Sequence, residues 1–570
     1  MTGTVRRVSG PLVEVANLPG LAMADLVEVG PQRLPAEVVA IAAYTTTQAY
    51  EYTGGLTPGD PVRALGRPLS ARLGPGLTGG VFDGLLRPLA GAETWLSPRG
   101  DGGADPRTWS FRPLARAGTA VAGGDLLGEV TNAGPVRHAV LVPPDLAGTL
   151  EQLAPAGEYR ADQPVAAVAG QPVRLESWWP VRRPRPYRSR RLAATPLLTG
   201  QRVLDAVFPV LKGGTAAVPG GFGTGKTMLL QQIAKWCDAD VIVYVGCGER
   251  GNELADVLDD LAELSDPRTG GKLADRTVLI ANTSNMPIMA REASIYTGVT
   301  VAEYYRDMGH DAVVIADSTS RWAEALREFA SRTGALPAEE GYPAGLASAL
   351  AAFYERAAPV TTLGGRDGSV TILGAVSPPG GDMTEPVTAH TQRFVRSLWT
   401  LDRDLAYARH YPAVSWDGSY SRDAAAIGSW YAAEGGDASW AARRGRVVSL
   451  LAEADRIADL ADLVGVAALP GHERMVLLTG RLLREAVLQQ NALSENDAYC
   501  TPAKSAALTD LVLEVAAHCE QLVAHGVEPA KIESSDFSTV VRAREETGPA
   551  DADAVRARRA AALAALEELA

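Results

Sequence analysis

The ten residues Val218-Pro219-Gly220-Gly221-Phe222-Gly223-Thr224-Gly225-Lys226-Thr227 constrain this chain more than any other stretch. From Gly220 to Thr227 they spell G-x-x-x-x-G-K-[ST], the pattern of a phosphate-binding loop. Its glycines permit positive φ, so successive backbone N–H groups can turn inward around phosphate oxygens. Lys226 has the length to reach β- and γ-phosphates, and the Thr227 hydroxyl can ligate Mg²⁺. The pattern demands a strand before it and a helix after it. Thr215-Ala216-Ala217-Val218 reads as a short buried strand, and Met228 to Trp236 reads as a helix whose N-terminal dipole faces the phosphates. A nucleoside-triphosphate site near the middle of the chain follows. Its candidate binding residues are Gly220, Gly221, Phe222, Gly223, Thr224, Gly225, Lys226, Thr227 and Met228.

The residues after the loop alternate between apolar runs and helical stretches. Val241-Ile242-Val243-Tyr244-Val245 ends in Gly246-Cys247-Gly248-Glu249-Arg250, Thr277-Val278-Leu279-Ile280-Ala281 ends in Asn282-Thr283-Ser284, and Ala312-Val313-Val314-Ile315-Ala316 ends in Asp317-Ser318. Unbroken apolar strands are the mark of a parallel sheet covered on both faces. In such sheets ligands sit outside the carboxyl ends of the strands. Glu249, Asp317 and the loop all fall at such ends.

Hydrolysis of a γ-phosphate needs bound phosphates, a metal, an oriented water and positive charge at the transition state. Asp317 has the position of the acidic residue that holds Mg²⁺ together with Thr227. Glu249 is the candidate for polarising the attacking water. Arg250 sits beside it, near the phosphates or paired with a carboxylate. A strand-end aspartate can also simply cap the next helix, and Glu249 or Arg250 can make an ordinary surface ion pair.

At 570 residues the chain is too long for one core. Residues 1–70 hold short strands punctuated by turns and read as a small β-barrel. Residues 71–112 lead back toward the nucleotide domain, with an exposed loop at 97–107. Residues 113–186 read as an inserted β-rich module, 187–425 as the α/β nucleotide domain, and 426–570 as a helical C-terminal domain with apolar residues at helical spacing. Arg182, Arg183, Arg185, Arg188, Arg190 and Arg191, interleaved with Pro180, Pro184 and Pro186, read as a solvated, extended connector with packed tryptophans. A net charge of −13 argues against a nucleic-acid partner. Four cysteines without a C-x-x-C pair suit free thiols. The N-terminus has no secretory h-region, and no apolar run reaches the ~20 residues of a membrane span.

The chain resembles the catalytic A subunit of the V-type and archaeal A-type rotary ATPases. The likeness is carried by Lys212 to Gly220, the loop itself, Val243 to Glu253 and Ala281 to Pro287. It continues through Ala316 to Glu328, Pro337 to Pro343, Ala375 to Asp382 and Trp416 to Ser421. Gly55 to Val62 in the barrel, and Val142 to Asp145 and Pro155 to Tyr159 in the inserted module, extend it over nearly the whole chain. The resemblance implies a RecA-like core binding ATP or ADP with Mg²⁺, with Lys226, Thr227, Glu249, Arg250 and Asp317 in the roles given above. It implies that Tyr411 packs on adenine. It further implies three copies alternating with three non-catalytic B subunits, an arginine supplied in trans, and central and peripheral stalks. ATP hydrolysis or synthesis would be coupled to H⁺ or Na⁺ movement, and the chain would lie in the cytoplasm, reaching the membrane only through partners.

Two departures stand out. Gly221 replaces the usual proline of the loop, which implies a more flexible loop. Val487 and Leu493 stand where relatives often carry phenylalanine, so stacking area on the base is smaller if both line its pocket. The competing readings are a RecA-like hexameric motor on nucleic acid and a non-catalytic nucleotide-binding subunit.

Overall fold

The computed structural model describes residues 2–89, 107–192, 194–266 and 270–569. The loop expected at 97–107 lies, apart from Arg107, outside them. At the N-terminus six strands close into a barrel in the order Thr2–Ser9, Leu12–Ala16, Thr45–Ala49, Leu34–Ile41, Asp25–Val29 and Pro61–Pro68. Alternation dictates the closure: Val13, Val15, Val27 and Val29 are buried inside, while Glu14 and Glu28 between them face outward, partly exposed.

The centre is a ten-stranded sheet. Its parallel strands lie in the order Ser397–Leu398, Thr215–Pro219, Asp367–Val376, Asp311–Asp317, Val241–Glu249, Thr277–Thr283 and Val81–Phe82. Both faces are covered. Ile242 and Tyr244 join a core with Leu230 and Ile233 of helix Lys226–Trp236, whereas Val241, Val243 and Val245 pack with Ala293 and Val299 of helix Ile288–Asp307 on the other side. That double burial explains the unbroken apolar runs.

Between Thr108 and Arg174 two four-stranded sheets enclose a core of their own that includes Trp109, Phe111, Leu127 and Val165. The strand Ser177–Pro180 then returns to pair with Ser70–Leu73.

Of the arginines that follow, Arg185 is buried and departs from the expected solvated connector, whereas Arg182, Arg183, Arg188, Arg190 and Arg191 are exposed as expected. Arg182 grips Glu292 with both Nη atoms, at 2.8 and 2.7 Å. Arg185 is buried, donates to Asp307 at 2.7 Å and lies over the Trp179 and Tyr304 rings. Arg188 and Arg190 donate to the carbonyls of Leu363 and Glu355. Helix Ile288–Asp307, nearly all of it buried, carries Glu292, Glu303 and Asp307 inward and needs these cations in return. The segment is a clamp across the back of the sheet.

The C-terminal part is helical: Ala424–Ala433, Trp440–Val464, Gly471–Leu482 continuing into a π-helical stretch Leu483–Leu488, Pro502–Ala524 and Ala552–Glu567. Leu450, Leu482, Leu508 and Val512 share one core with Leu204 and Ile233, so these helices are packed against the loop's side of the sheet. All four cysteines are buried, and none is in a disulfide.

Candidate active site

The strand Thr215–Pro219 delivers the chain to Gly220, whose N–H donates to Val376 O at 3.2 Å. Gly223 and Gly225 have φ of 78° and 88°, the left-handed values that the loop's inward turn requires. Gly225 directly precedes helix Lys226–Trp236. Thr224 Oγ1 donates to Gly221 O at 2.9 Å, and Lys226 Nζ donates to the carbonyls of Gly220 and Gly221 at 2.7 and 2.8 Å. The Phe222 and Met228 side chains are exposed, at 90 % and 52 %. Phe222 can therefore serve phosphates only through its backbone.

Asp317 ends the strand Asp311–Asp317 and is buried. Its Oδ2 accepts from Thr227 Oγ1 at 3.1 Å and from Tyr244 OH at 3.0 Å. Burial, then the neighbouring Asp317 carboxylate, pushes the Tyr244 phenol well above its ordinary range, so it stays a donor. Tyr244 was hidden in the sequence as one more apolar strand residue; its strand stands three places from the loop's strand in the sheet.

Glu249 ends the adjacent strand, in which Gly246 lies opposite Asp317. Pairing with Thr277–Thr283 slips between Cys247 and Glu249. The slip is a bulge centred on Gly248, which has φ 74° and where a Cβ would come within 2.9 Å of Arg321 Cβ. A bulge re-aims the side chain after it, and here that side chain is Glu249. Burial holds the Lys226 ammonium below the ordinary lysine range, opposed by the Asp317 and Glu249 carboxylates. Lys226 is thus within the field of both acids. Arg250 is exposed at the entry to helix Gly251–Glu263.

Beside the loop opens a cleft of about 590 Å³, walled by Gly223 to Gly225 and Met228 on one side, Tyr411 on another, and residues 489–493 with Arg544 on the third. Tyr411 lies against the loop, its ring atoms 3.6 and 3.8 Å from where a Gly225 Cβ would sit. Leu493 reaches the rim and is 92 % exposed. Val487 does not line this cleft. The π-helical stretch Leu483–Leu488 turns it into the core, where it is 1 % exposed. The departure at Val487 therefore bears on packing, and only Leu493 bears on the cleft. Oxygen donors converge at Thr227 and Asp317, a hard donor set of the kind Mg²⁺ takes while keeping several waters.

Four family profiles match the chain in succession. The beta-barrel domain of the ATP synthase alpha/beta family covers residues 5–66, the alpha/beta subunit barrel-sandwich domain 104–182, the nucleotide-binding domain of that family 200–421, and the C-terminal domain of V and A type ATP synthases 431–524. A V-type ATP synthase alpha chain of Nitrosococcus oceani is 51 % identical over 542 residues, covering 92 % of this chain and 91 % of its own. The A subunit of the A-type ATP synthase of Methanopyrus kandleri is 47 % identical over 540 residues, with 92 % and 91 % covered. Among solved structures, the ATPase EscN of the enteropathogenic E. coli type III secretion system aligns with a TM-score of 0.64 at 20 % identity, covering 90 % of this chain and all of that one. That likeness is one of fold.

Proposed function

The chain belongs to the family of V-type ATP synthase alpha chains and A-type ATP synthase A subunits, and from that premise we propose how its residues work. It is the catalytic subunit of a rotary ATPase or synthase, turning over ATP against ADP and phosphate. The loop amides and Lys226 bind the β- and γ-phosphates. Thr227 and Asp317 would hold Mg²⁺, which would supply positive charge against the phosphates. Tyr244 fixes the Asp317 carboxylate by its hydrogen bond. Glu249, aimed by the bulge at Gly248, polarises the attacking water. Arg250 adds positive charge at the outer edge of the site, and Tyr411 packs on the adenine. The observation that carries this reading is the convergence of Lys226, Glu249 and Asp317 at three strand ends of one sheet.

The partners follow from the same premise. Non-catalytic B subunits alternate with copies of this chain in a ring of six and supply an arginine in trans, and stalk subunits link the ring to a membrane sector that moves H⁺ or Na⁺. Among the described residues no helix is long and apolar enough to cross a membrane, which suits a place in the cytoplasmic sector held by partners. Within the basic cluster that a nucleic-acid motor could have used, Arg182 and Arg185 are taken up in internal ion pairs. Replacing Glu249 with Gln tests the assignment: MgATP turnover should vanish while MgADP binding persists. Unchanged turnover would overturn it.

A further inference from the structure

Arg202, ahead of the loop's strand, is wholly enclosed in the nucleotide domain. Its side chain and that of its partner Asp497 are both 0 % exposed. A guanidinium so placed is tolerated only when its donors are matched. Here Nη1 donates to Asp497 Oδ1 at 2.6 Å, Nε to Val487 O at 2.7 Å and Nη2 to Gln489 O, while the Arg202 backbone N–H donates to Gln490 Oε1 at 2.8 Å. One residue thus holds four points of a chain segment nearly 300 positions later.

The other Asp497 oxygen completes the arrangement. Oδ2 accepts from Asn491 N at 2.7 Å and from Arg544 Nη1 at 3.2 Å, and the same Nη1 reaches Gln489 O. Gln490 in turn donates from its backbone to Tyr411 O at 2.8 Å and from its side chain to Gly200 O at 2.9 Å. The gripped strip, residues 489–493, is the third wall of the cleft beside the loop, whereas Arg202 and Asp497 are not among the cleft's lining residues.

We propose that the buried Arg202–Asp497 pair is a positioning latch that shapes strip 489–493 and so sets affinity for the base and ribose of the nucleotide. This rests on the nucleotide reading of the cleft. It leaves the phosphate chemistry to Lys226, at the start of the loop's helix, and to Glu249 and Asp317 at their strand ends. Two substitutions separate positioning from mere support. Arg202→Lys keeps the charge facing Asp497 but cannot reach both carbonyls. Asp497→Asn keeps one acceptor for Arg202 and turns an amide NH₂ toward the Asn491 N–H or its neighbours, donor against donor.

The experiment is steady-state MgATP hydrolysis by the complex assembled with its partner subunits. For both variants KM for ATP should rise about tenfold, with kcat at saturation within about twofold of the parent, as expected when only ground-state and transition-state binding in common is lost. KM does not depend on the fraction of active molecules, so a variant that assembles poorly is still informative. A fall in kcat at unchanged KM, or no change in either constant, would overturn the latch. A parent complex without MgATP turnover would instead sink the proposed function.

Discussion

Thr227 Oγ1, in the first turn of helix Lys226–Trp236, and Asp317 Oδ2 lie 3.1 Å apart although a whole strand, Asp367–Val376, stands between the strand that feeds the loop and the strand that Asp317 ends. The helix start leans over the intervening strand, so hydroxyl and carboxylate meet above it. Thr227→Ala should raise the Mg²⁺ concentration for half-maximal turnover at least about tenfold, in line with losses at metal-supporting groups, and Thr227→Ser should restore it. Tyr244→Phe, which removes the second donor to the same oxygen, should cost about 1 kcal/mol and so about fivefold. Mg²⁺ titrations of ATP hydrolysis read both effects; an unmoved midpoint in Thr227→Ala would exclude this pair as the metal site.

Gly248→Ala should harm activity more than stability. A left-handed φ costs an L-residue roughly 1–2 kcal/mol, and the added Cβ meets Arg321 Cβ at 2.9 Å. A shift of about 1 Å in Glu249 corresponds to a loss on the order of 10²-fold in kcat. Turnover and denaturant unfolding of the same variant distinguish the two costs. Full activity would show that the bulge does not aim Glu249.

Gly221→Ala should do the opposite. Gly221 is not among the positive-φ glycines, and a Cβ there meets nothing nearer than Arg403 Nη2 at 3.9 Å. Restricting the unfolded chain should then stabilise by about 0.4–1 kcal/mol, with MgADP affinity unchanged. Gly223→Ala, at φ 78°, should destabilise. Thermal unfolding of the two variants should move in opposite directions from the parent.

His138, on the inserted module, is buried, with its Nε2 3.2 Å from Tyr304 OH of the long central helix. Burial, and then His310, drives its pKa down to about 3, against about 6.5 in the unfolded chain. The folded form thus disfavours the proton, so its contribution is intact above pH ~6.5 and is lost as pH falls toward 3, on the order of 1–2 kcal/mol by pH 5. Asp205, raised to about 7 by burial, slopes the other way, present below about pH 4 and lost as pH rises through 7. The parent profile is therefore a partial cancellation. His138→Gln should flatten the acid-side loss of Tm relative to the parent between pH 6.5 and 4; parallel profiles would refute the assignment.

Much of the site was legible because its parts are short-range. The loop spells its own turn, and Glu249 and Asp317 announce themselves as acids closing apolar runs. What escaped depended on distant partners. Arg185 read as solvated because its partner Asp307 lies more than a hundred residues on. Arg202 and Asp497 are inconspicuous in isolation, since only the fold brings them together. Val487 and Leu493 looked alike as departures, yet a π-helical stretch buries the first, while the second lies beyond that stretch on the rim. Backbone period alone does not say which way such a stretch turns its residues.

The cleft beside the loop is walled by segments that are far apart in the chain, around residues 225, 411, 490 and 544. A nucleotide lodged there is a removable crosslink between the sheet and the C-terminal helices. Its occupancy should therefore decide whether heat melts those two parts together or one after the other. Each turnover would loosen and retighten a seam, giving the helices a mechanical report of what the phosphates have done.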